Sequence, residues 1–382
     1  MKVLMVTSWY SPKDAEVLTA GVFHYEQSMA LKPYCDVALY FPYDLDLKED
    51  YSKKYEKGLL TYRTKFKNSS DGKISQFLAI LEVAKNLKKV CDDFQPDIIH
   101  AHCAIPAGFA SVLFGKIAKC PVVITEHFPI EQMHLQSRTS RLRRLLVTKY
   151  SDANICVSKD SMDRLQKYFP TCKYQVIYNG IIHPETLVNK KESYRINDAI
   201  NCCIVAGFYS KEIKGYQYLL PAIQRLKQKG IHIVLHIVGG GEYFEYYRQM
   251  ATDLEIEDCS IFYGNCNREK VYNILSQMDF SISASIFECS GVSVQEAMLL
   301  GKPLVVTKSG GANSLVTNKT AIVVDRHSME ALVEGIEEMS LKFQSFDAEE
   351  IKQYAVENFE IDRVSCRYMD LYQKILKEKS NG

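Results

Sequence analysis

Short runs of apolar residues alternate along the whole chain with longer segments in which apolar positions recur every three to four residues. The short runs are typical of buried strands, and the longer segments are typical of amphipathic helices. This alternation predicts an α/β fold whose parallel strands are joined by crossover helices. In the first half of the chain, strands are predicted at residues 2–7, 36–41, 59–63, 96–102, 121–127, 152–158 and 174–180, and helices at 22–31 and 75–94.

The pattern breaks after residue 180 and then begins again. Residues 183–199 show no periodicity and carry Pro and several charges, so we interpret 181–199 as a linker. The second series has predicted strands at 200–208, 231–240, 259–264, 280–285, 303–307 and 321–325, and helical segments between them and over 328–377. The sequence thus predicts two doubly wound domains, 1–180 and 200–360, with a ligand between them, and a separate C-terminal segment, 361–382.

Composition narrows the class of protein. The 382 residues are 47% hydrophobic and 24% charged with a net charge of +1, which predicts a globular chain with no overall attraction to nucleic acid. No apolar run is long enough to cross a bilayer, and we interpret the N-terminus as a first strand and not as a signal peptide. The twelve cysteines have no zinc-site spacing, so we expect small buried side chains in a cytoplasmic protein.

Residues 288–306 carry the strongest chemical signal, because two carboxylates, Glu288 and Glu296, lie eight positions apart. We predict Glu288 in the loop after strand 280–285 and Glu296 about two turns into the following helix. The N–H groups of Gly291, Val292 and Ser293 at the start of that helix are suited to binding phosphate oxygens. The alternative is a surface helix, since two glutamates at this spacing are common by chance.

This segment resembles the E-x7-E signature of the retaining GT-B glycosyltransferases, above all glycosyltransferase family 4. The stretches SWYSP and GVFHYEQ resemble a subgroup that assembles bacterial surface polysaccharides. The resemblance covers nearly the whole chain. It implies a GT-B fold, with two Rossmann-like domains facing across a cleft and a last helix, at 363–377, that crosses back to the N-terminal domain.

The resemblance also implies a set of site residues. Glu288 would bind sugar hydroxyls and Glu296 the ribose, while His127 would approach the reaction centre. Residues expected near the donor diphosphate and nucleotide are Gly21, Lys214, Gly240, Tyr263, Gly264, Gly291, Val292 and Ser293. In the family, an Arg follows the glycine at the end of the first strand of the second domain. Here Gly207 is followed by Phe208, and Lys211 is one candidate to supply the missing charge.

The implied activity is transfer of a sugar, with retention and without metal or cofactor, from a nucleotide diphosphate sugar to a glycan or lipid-linked acceptor. UDP is favoured as the nucleotide. Two alternatives stay open: a nucleotide-sugar 2-epimerase of the same architecture, and a non-catalytic subunit that binds sugar nucleotides. An epimerase would convert donor without acceptor, whereas the subunit would bind donor without turnover.

Two further patterns concern metal and membrane. Asp44-Leu45-Asp46 matches the D-x-D metal motif of other glycosyltransferases, but its polar context favours a solvated loop. Residues 138–149 form a basic amphipathic pattern, which predicts either an anionic membrane contact or an ordinary charged face. Its basic residues are Arg138, Arg141, Arg143, Arg144 and Lys149, and Arg63, Lys65, Lys67 and Lys73 would extend the same face.

Overall fold

The fold was analysed in a computed structural model that describes residues 1–11, 21–66, 73–133, 135–189 and 192–380. The chain divides into two units. Unit 1 comprises Met1–Gly180 and Ile361–Gly382, and unit 2 comprises Ile181–Glu360. The candidate residue Lys67 lies outside the described residues.

In unit 1, strands and helices alternate as the apolar pattern predicts. The strands are β1 (Lys2–Val6), β2 (Asp36–Asp44), β3 (Tyr51–Glu56), β4 (Leu59–Lys65), β5 (Ile98–His102), β6 (Val122–Glu126), β7 (Ala153–Cys156) and β8 (Gln175–Val176). The helices up to Gly180 are α1 (Val22–Leu31), α2 (Lys73–Phe94), α3 (Phe109–Ala118), α4 (Arg138–Tyr150) and α5 (Lys159–Tyr168). Over the described residues the sheet order is β3-β4-β2-β1-β5-β6-β7-β8.

Strand β1, at the centre of this sheet, is apolar on both faces, as expected for a parallel strand covered by helices. Val3, Leu4, Met5 and Val6 of β1 are all fully buried. Strand β3 was not predicted, because its sequence, YSKKYE, is mostly polar. It pairs antiparallel with β4 at the sheet edge through a turn at Lys57 and Gly58, where polar side chains are tolerated.

Unit 2 is a second doubly wound sheet. Its strands are β9 (Ile200–Val205), β10 (Ile233–Val238), β11 (Ser260–Gly264), β12 (Phe280–Ser283), β13 (Leu304–Thr307) and β14 (Ala321–Val324). Its helices are α6 (Tyr216–Gln228), α7 (Phe244–Asp253), α8 (Arg268–Ser276), α9 (Val292–Leu299), α10 (Met329–Lys342) and α11 (Ala348–Phe359). Over the described residues the order is β11-β10-β9-β12-β13-β14 with parallel pairing, so the strand order reverses between β9 and β12.

The last helix, α12 (Ile361–Ser380), packs on unit 1. Its buried residues Val364, Tyr368 and Tyr372 join the core that contains Val3 of β1. The hydroxyl of Tyr372 lies 2.6 Å from Nδ1 of His100 in β5. The predicted return of the last helix to the N-terminal domain is therefore confirmed.

The predicted linker has a defined structure on unit 2. The backbone N–H of Tyr194 donates to Oε1 of Gln277 at 2.9 Å. Arg195 Nη1 lies 2.8 Å from Oδ1 of Asp279, which precedes β12. Each contact joins two residues more than eighty positions apart along the chain, so local periodicity could not reveal them.

Candidate functional site

The predicted residues Lys214 and Glu288 meet at the switch point of unit 2. Lys214 lies in the loop after β9, Glu288 lies in the loop after β12, and Lys214 Nζ is 2.5 Å from Glu288 Oε1. Ser285 Oγ donates to the same carboxylate oxygen at 2.9 Å. The lysine and glutamate side chains keep 29% and 19% of their surface exposed. The carboxyl ends of strands on either side of such a reversal are where open α/β sheets bind ligands.

Helix α9 begins beside this ion pair. Gly291 precedes it with φ +91°, and a Cβ at this position would lie 2.9 Å from Cβ of Ala312, so glycine fits both the backbone and the space. The loop is held by two backbone hydrogen bonds at 2.9 Å, from Glu288 N to Ser309 O and from Gly311 N to Glu288 O. The helix start carries partial positive charge next to the ammonium of Lys214.

Val292 and Ser293 form the first turn of α9 and reach the surface, whereas Glu296 does not. Oε1 of Glu296 accepts a hydrogen bond from the Tyr272 hydroxyl at 2.9 Å. The expected position two turns into the helix was wrong: α9 begins only at Val292, so Glu296 lies little more than one turn from its start. Tyr272 was not predicted, because the sequence of α8 does not show that one of its hydroxyl groups faces a carboxylate of another helix.

Glycines bring other loops of this sheet edge close together. Gly215, with φ +72°, starts α6, and a Cβ there would lie 1.9 Å from the carbonyl oxygen of Ala284. The candidate Gly240 packs against Asn265, whose Cγ would lie 2.6 Å from an added Cβ. The loop after β9 therefore approaches that after β12, and the loop after β10 approaches Asn265 after β11, more closely than a side chain at either glycine would allow.

Tyr263 and Gly264 end β11, and the hydroxyl of Tyr263 begins a polar chain that runs into the core of unit 2. The Tyr263 hydroxyl lies 2.9 Å from His236 Nδ1, and His236 Nε2 lies 3.0 Å from the side-chain oxygen of Asn201. Because an amide oxygen only accepts, His236 carries its proton on Nε2 and Tyr263 donates to Nδ1. Burial, followed by the charge of Arg195, lowers the pKa of His236 to about 4. The backbone oxygen of Gly264 accepts from Gly239 N at 3.0 Å.

Lys211 does not join the ion pair of Lys214. Its ammonium lies over the ring of Tyr246, 4.4 Å from the centroid, and 5.4 Å from that of Tyr243. Such cation–π contacts hold the charge on α7 and its N-terminal turn. In this arrangement the ammonium of Lys211 lies against tyrosine rings, and its compensation for the missing arginine stays a prediction.

In unit 1, Gly21 and His127 lie near one another in an aromatic cluster. Gly21 has φ +66° and starts α1, and a Cβ there would lie 2.9 Å from the carbonyl oxygen of Trp9. His127 follows β6, its ring centroid is 6.4 Å from that of Trp9, and its Nε2 lies 2.9 Å from His102 Nδ1. Burial lowers the pKa of His127 to about 3, so its imidazole is neutral at pH 7.

Two cations assigned to the basic face are instead buried in ion pairs. Arg144 Nη1 lies 2.8 Å from Oε2 of Glu126, whose other oxygen accepts the N–H groups of His127 and Phe128 at 3.1 Å. Arg63 is fully buried, with Nη1 2.8 Å from Asp44 Oδ2 and Nη2 2.7 Å from Glu56 Oε2. Their inclusion in a membrane-facing surface was therefore wrong, because each guanidinium is compensated inside unit 1.

The same contacts correct the interpretation of the D-x-D motif. Asp44 is buried against Arg63, whereas Asp46 is exposed. The two carboxylates of this motif thus lie in different environments, and the predicted solvated loop holds for Asp46 only.

Helix α4 borders an apolar cavity in unit 1. The cavity has a volume of about 380 Å³. Its lining residues are Tyr43, Phe66, Ile80, Ile105, Pro106, Phe109 and Arg143. On the same helix Arg138, Arg141 and Lys149 are exposed, and Leu142 is 55% exposed. Within the described residues, every helix is too short or too polar to cross a membrane.

Comparison with known proteins identifies the class. The family profile "Glycosyl transferases group 1" matches residues 189–355, and the profile "Glycosyltransferase Family 4" matches residues 46–183. The chain therefore belongs to this family of glycosyltransferases and is an enzyme of that class.

Individual relatives agree with this assignment. The chain is 26% identical over 314 residues to alpha-monoglucosyldiacylglycerol synthase of Streptococcus pneumoniae, covering 77% of this chain and 69% of that one. It is 25% identical over 360 residues to the putative teichuronic acid biosynthesis glycosyltransferase TuaC of Bacillus subtilis, covering 88% of each.

Solved structures support the GT-B fold. Sucrose-phosphate synthase from Thermosynechococcus elongatus superposes with a TM-score of 0.79 at 14% identity, covering 99% of this chain and 100% of that one. HepE from Anabaena, solved in complex with UDP, gives a TM-score of 0.75 at 18% identity, covering 98% and 100%. The predicted GT-B fold class is confirmed.

Proposed function

We propose that this glycosyltransferase moves a sugar from a nucleotide diphosphate sugar to a glycan or lipid-linked oligosaccharide, with retention at the anomeric carbon and without a metal ion. The ion pair of Lys214 and Glu288, beside the start of α9, is the observation that carries the proposal. It combines a cation for a diphosphate and a carboxylate for sugar hydroxyls at the ligand-binding edge of a doubly wound sheet.

The leaving diphosphate gains negative charge as the glycosidic bond breaks. The N–H groups of Gly291, Val292 and Ser293, together with the ammonium of Lys214, would stabilise that charge. Glu288 would orient the sugar ring, and Glu296, positioned by Tyr272, would bind the ribose. The departing phosphate oxygen would take the acceptor's proton, so this step needs no separate strong base.

UDP is the favoured nucleotide, and the solved complex of HepE with UDP supports this choice. Tyr263 and Gly264 would lie against the base, and Gly240 near the phosphates. Incubation of the enzyme with UDP-sugars, followed by NMR, tests both activity and alternatives. The proposal expects an anomerically retained product only when acceptor is present. An epimerised donor without acceptor would establish the epimerase instead, and binding without turnover would establish the non-catalytic subunit.

A pair of lysine variants tests the diphosphate contact. Lys214→Met removes a cation from the site, so kcat/KM should fall by about 100-fold, equivalent to about 3 kcal/mol of transition-state stabilisation. Lys211→Met is the matched control in the same loop and should change kcat/KM less than about twofold, because its ammonium contacts tyrosine rings. Steady-state kinetics with a UDP-sugar provides the measurement. The reverse ranking of the two variants would show that Lys211 is the diphosphate ligand.

A lipid-linked acceptor at the inner face of a cytoplasmic membrane is the second part of the proposal. The apolar cavity beside Arg143 supports it, as does the similarity to a synthase named for a diacylglycerol glycolipid. Exposed Arg138 and Arg141 would bind anionic headgroups, while exposed Leu142 between them would contact the apolar part of the bilayer. Each basic residue contributes about 1 kcal/mol near such a surface. Polysaccharide biosynthesis is the process we expect, supported by the similarity to TuaC.

Liposome flotation tests this membrane contact. The wild-type protein should float with phosphatidylglycerol vesicles but not with neutral phosphatidylcholine vesicles. Arg138→Gln/Arg141→Gln should reduce recovery by about tenfold or more, since two contacts of about 1 kcal/mol are lost. Lys85→Gln/Lys89→Gln, which removes two exposed charges from α2, is the control and should float like the wild type. Equal recovery of all three proteins would rule out α4 as the membrane contact.

A further inference from the structure

Three histidines from different elements of unit 1 converge at the carboxyl ends of its central strands. His24 lies on α1, His102 ends β5, and His127 follows β6. One ring nitrogen from each lies within 4.8 Å of a ring nitrogen from each of the others. This edge is the switch point of the sheet, because the strand order reverses between β1 and β5.

The hydrogen-bonding capacity of this cluster is largely unused. Both ring nitrogens of His24, and Nε2 of His102, are buried and have no hydrogen-bond partner among the described residues. A neutral imidazole carries one donor and one acceptor, so His24 leaves both unsatisfied. Buried polar groups are seldom left unpaired, and an unpaired nitrogen that points into a cluster is suited to a missing ligand atom.

The three rings are also in the protonation state that binds metal. Burial lowers the pKa of His24 and that of His102 well below the ordinary value, and lowers that of His127 to about 3. Neutral imidazole is the form that coordinates a transition metal, and a ligand that needs no deprotonation binds without a pH penalty near 7.

Neighbouring side chains fix the orientation of the rings. His100 stacks on His102 with centroids 4.6 Å apart, and His100 is itself held by Thr125 Oγ1 at 2.7 Å. Phe23 packs on His24 at a centroid distance of 4.0 Å. Metal sites depend on such outer contacts, which hold the ligand rings in place before the ion arrives.

We propose that His24, His102 and His127 form a binding site for a divalent transition-metal ion, with zinc as the ion of choice. Tetrahedral zinc with bonds of about 2.0–2.1 Å places its ligand nitrogens roughly 3.3 Å apart. The 2.9 Å between His102 and His127 would therefore lengthen slightly, and any wider separation, all within 4.8 Å, would shorten. The ion would bind the two nitrogens that share a proton, Nδ1 of His102 and Nε2 of His127, and that proton would move to the other nitrogen of the ring that carries it. The ion would also bind a lone pair of His24. Three histidines leave the fourth position for water or another ligand.

This site shares His127 with the residues that the family resemblance places at the reaction centre. Its ligands belong to unit 1, whereas Lys214, Glu288 and the start of α9 belong to unit 2. The ion would tie α1 to β5 and β6 and would stabilise unit 1 by binding its folded form.

The test uses the full chain without an affinity tag that binds metal. After treatment with EDTA, the protein is loaded with Zn²⁺, passed through a desalting column and analysed for metal content. We expect about one Zn²⁺ per chain and a higher Tm for the transition of unit 1. His24→Phe removes one ligand and suits its aromatic surroundings, and it should lose both effects, as should His102→Gln. The control, His232→Gln in unit 2, should retain them.

Cobalt gives a readout that does not depend on the folding of any variant. Co²⁺ bound to the wild-type protein should show the visible d–d bands of a tetrahedral centre without a strong thiolate charge-transfer band, because the ligands are nitrogens. The proposal is overturned if the wild-type protein retains no metal, if thiolate bands dominate, or if folded His24→Phe binds as much Zn²⁺ as the wild type.

Discussion

Asp44 of the D-x-D motif belongs to a buried ion-pair network centred on Arg63. A buried guanidinium between Asp44 and Glu56 is stabilised only while its partners keep their charge, since an unpaired buried charge is costly. Asp46, two positions on, is exposed and has no such constraint. Asp44 therefore contributes to the stability of unit 1 through its ion pair, whereas Asp46 does not share this role.

Substitution of each aspartate separates structural from metal-binding roles. Asp44→Asn should lower the free energy of unfolding by about 3 kcal/mol, because it leaves Arg63 with one buried charge partner fewer. Asp46→Asn should change it by less than about 0.5 kcal/mol. Urea denaturation followed by circular dichroism measures both. If the motif instead bound a catalytic metal, both variants would keep their stability and lose activity together.

The sequence predicted which single residues belong to the candidate site, but it did not predict which side chains contact them. Glu288 and Lys214 were singled out by resemblance, and the structure brings them together across 74 positions of the chain. The burial of Arg144 was not predictable, because the repeat of α4 shows which face is apolar but not that Glu126 lies opposite. His24 carried no signal in an apolar helix, since its neighbours come from β5 and β6.

Strand β5 is the element that concentrates buried histidine in unit 1. His100 and His102 are both buried and lie beside His24 of α1 and His127 after β6. The pattern of strand 96–102 predicted a buried strand, and the structure bears this out. It could not predict that two imidazoles would be buried there, because apolar periodicity does not report which polar side chains are enclosed.

This concentration makes unit 1 sensitive to acid. Burial lowers the pKa of His100 and that of His127 to about 3, against about 6.5 in an unfolded chain. Between these values the unfolded state binds more protons. The free energy of unfolding therefore keeps its full value above about pH 6.5 and falls as the pH drops towards 3. Each such histidine contributes a slope of about 1.4 kcal/mol per pH unit.

The dependence of the free energy of unfolding on pH is measured by urea denaturation from pH 7 to pH 4.5. EDTA is present so that no metal ion holds the imidazoles neutral. The pKa of His24 is also lowered by burial, so His24→Phe should reduce the slope by about 1.4 kcal/mol per pH unit. His232→Gln, in unit 2, should leave it unchanged. An identical slope for His24→Phe and the wild type would mean that His24 is protonated in the folded protein.

At the scale of the whole molecule, unit 1 is built from two separated parts of the chain. Helix α12 supplies Val364, Tyr368 and Tyr372 to the core beneath β1. Unit 2, by contrast, is continuous from Ile181 to Glu360. The alternation of strands and helices predicted both sheets, but only the resemblance to a family indicated where the last helix would pack.

Removal of that helix should affect one unit only. A chain ending at Glu360 exposes the apolar core of unit 1, and loss of even one buried aromatic side chain typically costs about 3–5 kcal/mol. Calorimetry should therefore show the loss of the unit 1 transition and retention of the unit 2 transition. A chain ending at Ser380 is the control and should keep both. A truncated chain with two intact transitions would show that α12 is dispensable for folding.

The divided core also sets an order of events during translation. The first 180 residues leave the ribosome long before the helix that completes them, because the whole of unit 2 is synthesised in between. At about 5–20 residues per second this interval is roughly 10–40 s. Throughout it, nascent unit 1 has an open apolar surface that chaperones can bind, and a polypeptide cut short by premature termination never closes it.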